Sequence, residues 1–304
     1  MADPKVVSAS AAMLLSAALW AFIGVFTRNL SAAGFSALQT AFARMFIGAV
    51  VIIAVLAVID RSAFRIRRSD IWVFFLFGAF KILSDFFLFE AQVRIHLSLS
   101  TVLQMMSPYW VLFLSVFLFG ERVTARKVTA ICMAFVGCIF VTGLLSDDVS
   151  FDTVGVVFAV LSGVAFAVYT VGNKVLMNRG YSVRTVVLYI FIFSAVISCP
   201  FGDVASIPGK IVSADVVLNL LGMGILMSLI PYCLQAYALE YLSAVKANLL
   251  GVTEALFAVI VGYVIYNEEL GFVSLIGMIL IPLSIVVMNV SLRRAHMKWI
   301  SRGK

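Results

Sequence analysis

Charge is scarce in this chain. Asp, Glu, Lys and Arg together make up 12% of its 304 residues, about half of what a soluble globular domain carries. Histidine occurs only at His96 and His296, and the four cysteines (Cys132, Cys138, Cys199, Cys233) all fall inside apolar runs. No histidine or cysteine pair has metal-ligand spacing, there is no Ser-His-Asp pattern, and no glycine-rich loop could cradle a phosphate. Enzymatic function, a metal site and a cofactor are therefore not expected. The cysteines read as small buried hydrophobes, not as a disulfide framework. Linkers and low-complexity segments are also missing, which leaves no room for a soluble domain.

What is present is apolar surface. Hydrophobic residues make up 63% of the chain and the mean hydropathy is +1.12. Runs of about 20 apolar residues recur along the whole length, each long enough to cross a hydrocarbon core of roughly 30 Å as a helix. The spacing predicts ten spans, near 7–27, 35–59, 70–92, 98–119, 127–145, 153–174, 184–203, 214–238, 244–266 and 271–291. The first follows Lys5 as a signal peptide would, but it continues to about Thr27 and further spans follow at once, so it reads as a transmembrane helix.

Basic residues set the orientation. With the N-terminus inside, seventeen of the 22 lysines and arginines fall in inner segments, three (Arg28, Arg94, Lys210) fall in outer segments, and Arg44 and Lys81 lie within spans. This bias predicts an even number of spans with both termini cytoplasmic and the loop around Asp147 and Asp148 outside. It also accounts for the formal charge of +7 without a nucleic-acid partner.

The chain repeats itself. At an offset of 146, Leu15, Ser16, Ala21, Val25 and Leu30 meet Leu161, Ser162, Ala167, Val171 and Leu176; the same offset pairs Phe35-Ser36 with Tyr181-Ser182, Gly78 with Gly224 and Leu83 with Leu229. Later, Glu121 pairs with Glu268 at 147. Two repeats, 1–146 and 147–304, would each hold five spans. Because five is odd, the second copy enters the membrane upside down, and inverted repeats of this kind mark transporters whose substrate site lies near the midplane.

The end of each repeat carries a recognisable segment: "SPYWVLFLSVFLFGERVTARKVTA" (107–130) and "EALFAVIVGYVIYNEELGFVSLIG" (254–277). In the first, Pro108 precedes Glu121 by 13 residues, a gap that Ala255 and Glu268 repeat. Over essentially its whole length the chain resembles the EamA-type branch of the drug/metabolite transporter superfamily. That resemblance implies ten helices in two inverted five-helix repeats, no enzymatic activity, and a small-molecule substrate such as an amino acid, a quaternary amine, a nucleotide-like metabolite or a drug. The family's glutamate-proline pair is split here: the first copy keeps Pro108 and the second keeps Glu254.

An ionisable group deep in a span costs about 2.5–3.5 kcal/mol on insertion scales and is by default a functional candidate. Arg44, Lys81, Asp85 and Glu254 qualify, while Glu90 lies near the outer end of its span, within reach of water. At the repeat offsets Arg44 corresponds to Ile190, Lys81 to Met227, Asp85 to Pro231 and Glu254 to Ser107. None has a charged counterpart, which favours substrate or ion chemistry over scaffold. Lys81 and Asp85, spaced i, i+4, can equally satisfy each other. Arg44 can serve as a structural tie, and Glu254 as a protonated carboxyl bonded across helices. Polar stripes at Thr101, Gln104 and Ser107 and at Asn248, Gly251 and Glu254 point to a cavity, although small and polar residues also suit helix packing. Trp20, Trp110, Tyr169 and Tyr232 could surround a cation or be bulky packing. The expected substrate-binding set is Trp20, Arg44, Lys81, Asp85, Gln104, Trp110, Tyr232, Asn248 and Glu254, with Glu254 also a proton-coupling candidate.

The sequence thus points to an all-α integral protein of the plasma (inner) membrane. It is expected to carry a small polar, amphoteric metabolite by alternating access as an exporter, with quaternary amines or lipophilic cations as the other substrate class. Membrane lipids and the small-molecule substrate as partners, protons as the candidate coupling ion, and a monomeric or homodimeric state complete the expectation.

Overall fold

The computed structural model describes residues 3–95, 97–141, 152–266 and 272–289. The Asp147–Asp148 loop, Glu268, both histidines and the basic C-terminal tail lie outside these ranges. Among the described residues every regular element is helical. The α-helices are α1 (Pro4–Trp20), α2 (Ile23–Ala32), α3 (Ala37–Ile59), α4 (Ile71–Arg94), α5 (Leu97–Gln104), α6 (Ser107–Phe119), α7 (Ala125–Val141), α8 (Thr153–Asn178), α9 (Val183–Ser198), α10 (Ile207–Lys210), α11 (Ala214–Leu221), α12 (Ile230–Tyr241), α13 (Ala244–Gly251), α14 (Thr253–Tyr266) and α15 (Phe272–Asn289). A π-helical stretch, Gly222–Leu229, joins α11 to α12.

Among the described residues six helical segments are long and apolar enough to cross a membrane: Pro4–Ala32, Ala37–Ile59, Arg68–Gln92, Ser100–Phe119, Thr153–Asn178 and Ala214–Tyr241. Val183–Ser198 and Phe272–Met288 are apolar but shorter. Their outer surfaces carry large exposed apolar side chains such as Val58, Phe117, Leu218 and Ile279. Such a surface suits a hydrocarbon solvent and is foreign to water.

Local signals repeat between the halves. Gly34 (φ 85°) and Gly180 (φ 93°), 146 apart, both end a helix in the left-handed region, where a residue without Cβ avoids strain. An aromatic residue follows each, and then Ser36 or Ser182, whose hydroxyl accepts the N–H of Gln39 or Thr185 and caps the next helix. These turns face opposite ends of the molecule, because α3, at about 1.5 Å per residue, separates them by its length. At one end Lys210 donates to the Gly34 carbonyl and to Gln39. At the other, Arg179 and Tyr181 both donate to Asp70, and Arg184 pairs with Asp60 at 2.8 Å. We refer to these as the Lys210 face and the Asp70 face.

Close packing is reciprocal between the halves. A Cβ on Gly78 would come within 2.8 Å of Phe193, and one on Gly224 within 2.6 Å of Ile47; both pairings are related by 146 residues. Beyond the π stretch the relationship moves by one. Ser162 donates to the carbonyl of Ser84, and Ser16 to that of Pro231, which sets Pro231 opposite Ser84 at 147. The helix breaks at Met105–Met106 and at Val252 obey the same shifted register. A π stretch accommodates one additional residue within a helix, and this one lies where the register changes. The equivalences expected for Lys81 and Asp85 are therefore corrected by one residue: their counterparts are Ser228 and Tyr232, not Met227 and Pro231.

Candidate functional site

Three helix breaks meet at a cavity. Ala21 between α1 and α2, Met105 between α5 and α6, and Val252 between α13 and α14 all line a space of about 540 Å³. Interrupted backbone inside a membrane is tolerated where it borders a cavity. The lining reaches exposed Arg28 and Ser31, and Gln92, at the Lys210 face. It includes no residue from the 60–70, 120–124, 178–182 or 241–243 turns of the Asp70 face. The cavity thus opens at one end and is closed at the other.

Its floor is a charged cluster. Arg44, only 3% exposed, donates from Nε to Ser228 Oγ at 2.9 Å and from Nη2 to the Tyr232 hydroxyl at 3.2 Å. Its Nη1 stands 3.9 Å from Asp85 Oδ2. The same carboxylate oxygen accepts from Lys81 Nζ at 2.5 Å. Two cations therefore share one anion, in a position where removing a single partner from a buried pair costs about 3–5 kcal/mol. The Lys81 ammonium also lies 4.7 Å from the centroid of the Tyr232 ring, a favourable cation–π distance. Tyr232 is the hub of the floor: Trp20, Phe191 and Tyr169 surround its ring at 5.2, 5.7 and 5.9 Å.

Seven of the nine residues expected to bind substrate line this cavity: Trp20, Arg44, Asp85, Gln104, Tyr232, Asn248 and Glu254. The other two are outside the lining. Lys81 is buried behind Asp85, and Trp110 packs against the apolar core. The two polar stripes do face each other, since Ser107 donates to Asn248 Oδ1 at 2.9 Å. Gln104 is held by Ser162 at 3.0 Å. Glu254, at the start of α14, has no hydrogen-bond or ion-pair partner among the described residues. Glu90 lies away from the cavity and pairs with Arg94 at 3.3 Å.

Ser228, Ser162, Phe166 and Phe89 were not expected. The two serines hold charged or polar lining groups, and the two phenylalanines line the space directly. Serine and phenylalanine inside an apolar span carry no signal of their own. Ser228 becomes visible only when the repeat is aligned with the one-residue shift, as the counterpart of Lys81.

Similarity to other proteins agrees with this architecture. The chain is 28% identical to an uncharacterized transporter of Archaeoglobus fulgidus over 269 residues, covering 88% of this chain and 91% of that protein. A second uncharacterized transporter of that organism is 27% identical over 73% of this chain and 79% of its own length. The uncharacterized transporter YcxC of Bacillus subtilis is 24% identical over 69% and 70%. A protein crystal structure superposes with a TM-score of 0.77 at 20% identity, covering 95% of this chain and 99% of the other, which is a likeness of fold. The pattern of the EamA-like transporter family matches twice, at residues 7–143 and 153–290. This multi-pass, all-helical membrane protein belongs to the EamA-like transporter family.

Proposed function

We propose that the protein is a secondary transporter that exports a small amphoteric metabolite, of the amino-acid kind, across the plasma membrane by alternating access. It does so with ten crossings in two inverted repeats and both termini in the cytoplasm. The observation that carries this reading is the cavity that opens at the Lys210 face and ends on Arg44 and Asp85, with Glu254 on its wall. A guanidinium can take a carboxylate, and Asp85 or Glu254 can take an amine, so both ends of an amphoteric solute find a complement. Inversion is supported by the Gly34 and Gly180 turns at opposite faces and by the reciprocal Gly78–Phe193 and Gly224–Ile47 contacts. Seventeen basic residues on the inner side support the orientation, which makes the Lys210 face external. Flux of radiolabelled amino acids in proteoliposomes tests the reading. Saturation and counterflow are expected, and a linear, non-saturating leak for every solute would reject a carrier.

One observation favours a second substrate class. Trp20, Phe166 and Tyr232 line the inner end of the cavity with their rings packed together, Trp20 lying 6.2 Å from Phe166. Such a wall beside Asp85 and Glu254 suits a quaternary amine or lipophilic cation. Competition of such amines against labelled amino acid in the same assay separates the two.

A further inference from the structure

Beneath the cavity floor, towards the Asp70 face, α8 and α12 bury a column of polar side chains that lie outside its lining. Thr170 is 0% exposed, and Asn173 and Gln235 are each 1% exposed. The Tyr169 hydroxyl donates to Gln235 Oε1 at 3.2 Å. Thr170 Oγ1, Asn173 Oδ1 and Gln235 Nε2 have no hydrogen-bond partner among the described residues. The column begins one turn beyond Tyr232. It ends where Lys174 Nζ donates to the backbone carbonyls of Leu239 and Glu240. Around this end the Asp70 face is closed by Ser8 against Tyr237 at 3.0 Å and by Lys5 over the Tyr241 ring. Buried polar atoms without partners are destabilising, and packing alone would be served as well by leucine.

The repeat says what these side chains are for. Counting back 146 residues along α8, Asn173 becomes Thr27, Lys174 becomes Arg28 and Thr170 becomes Gly24. Counting back 147 along α12, Gln235 becomes Leu88 and Leu239 becomes Gln92. All five counterparts line the open mouth of the cavity at the Lys210 face. When two inverted halves exchange their conformations, the mouth that opens at the opposite face is lined by the equivalents of the first.

We propose that Thr170, Asn173 and Gln235, with Lys174 at the exit, form a second polar site, closed here. In the alternate conformation it receives the hydrogen-bonding groups of the solute on its way to or from the Asp70 face. The inference rests on the transport reading above. The column is uncharged except at its exit, so it fits amide, hydroxyl and amino groups of a solute passing through, not a tightly held ion. Its unpartnered atoms are satisfied by water and solute once the mouth opens, which lowers the free energy of opening at that face.

Accessibility to a small, charged, membrane-impermeant thiol reagent tests this in a variant in which Cys132, Cys138, Cys199 and Cys233 are replaced by serine or alanine. Gln235→Cys, Asn248→Cys in the cavity, and Ile281→Cys, buried between α7 and α15, are each exposed to reagent from one face at a time. Asn248→Cys is expected to react from both faces. Gln235→Cys is expected to react from the Asp70 face at least ten-fold faster than Ile281→Cys. If Asn248→Cys reacts from both faces and Gln235→Cys is no faster than Ile281→Cys, the second site is overturned while the carrier reading stands. If Asn248→Cys reacts from one face only, the carrier reading fails and the second site with it. As an independent arm, Asn173→Leu/Gln235→Leu is expected to slow exchange at least ten-fold without lowering the melting temperature. Wild-type exchange in that variant would overturn the proposal.

Discussion

Lys81 and Asp85, one turn apart on α4, meet at 2.5 Å, yet Asp85 lines the cavity and Lys81 does not. Arg44 reaches the same carboxylate from the cavity side at 3.9 Å. Asp85 therefore holds two cations, and its loss leaves both uncompensated. Asp85→Asn is expected to lower the melting temperature in detergent more than Lys81→Met, which leaves Asp85 with Arg44. Each change removes a partner from a buried cluster, at a cost of about 3–5 kcal/mol. Equal or reversed losses would mean that Lys81 and Asp85 form a closed pair independent of Arg44.

Arg44 is oriented by Ser228 and Tyr232 through separate nitrogens. Lysine keeps the charge but cannot reproduce that fork. Arg44→Lys is expected to insert normally and to lose at least ten-fold in apparent affinity for a carboxylate-bearing solute, read from the concentration dependence of exchange. Unchanged affinity would remove Arg44 from the recognition of substrate.

Glu254 is the cavity carboxylate without a hydrogen-bond or ion-pair partner among the described residues, so a change to glutamine breaks no such pair. Glu254→Gln is expected to retain substrate exchange and to lose its response to an imposed pH gradient. Weakened binding at every pH would instead make this side chain the contact for a cationic group. Wild-type affinity with an unchanged pH response would leave it structural.

The Asp70 face has its own pH dependence. The Ser62 hydroxyl, and after it the Arg184 guanidinium, hold the Asp60 carboxyl below the usual aspartate range. A depressed carboxyl stabilises the fold above its unfolded value, near 3.9, and loses that contribution as pH falls through the depressed one. Arg184→Gln is therefore expected to lower the melting temperature slightly at pH 7 and to have a vanishing effect at strongly acidic pH. An effect that grows on acidification would contradict this tie.

Two glycines separate close packing from open space. An added Cβ at Gly172 would stand 2.3 Å from the Phe77 ring, whereas at Gly24 nothing lies within 4 Å. Gly172→Ala is expected to cost about 1–3 kcal/mol through overpacking. Gly24→Ala is expected to leave stability nearly unchanged, both read as thermal unfolding in detergent.

Helical spans, repeat and buried charges could be read from the sequence because each leaves a linear trace. Apolar runs have the length of a bilayer, Phe35-Ser36 and Tyr181-Ser182 recur at a fixed offset, and Arg44, Asp85 and Glu254 stand out in an oily background. The exclusion of Lys81 and Trp110 from the cavity could not be read that way. Both sit on spans that touch the site, and the side a residue faces depends on how helices pack. The breaks at Ala21 and Val252 carry no proline, and only Met105–Met106 has one nearby, at Pro108. The second polar column was hidden for a related reason, since Thr170, Asn173 and Gln235 are unremarkable until α8 and α12 are brought together.

The π-helical stretch has one more consequence. On an α-helix each residue turns the chain by about 100°, so a single additional residue at Gly222–Leu229 works as an angular setting for everything that follows in the same span. It presents Ser228 and Tyr232 to Arg44, in the places that Lys81 and Asp85 hold in the other half. Without it, the rest of the span would be rotated by more than a quarter turn, and Met227 and Pro231 would occupy those places with nothing to offer a guanidinium. The molecule's internal likeness is therefore kept at the level of position and given up at the level of charge. One half supplies an ion pair, and the other supplies two hydroxyls dialled into place to hold the arginine between them.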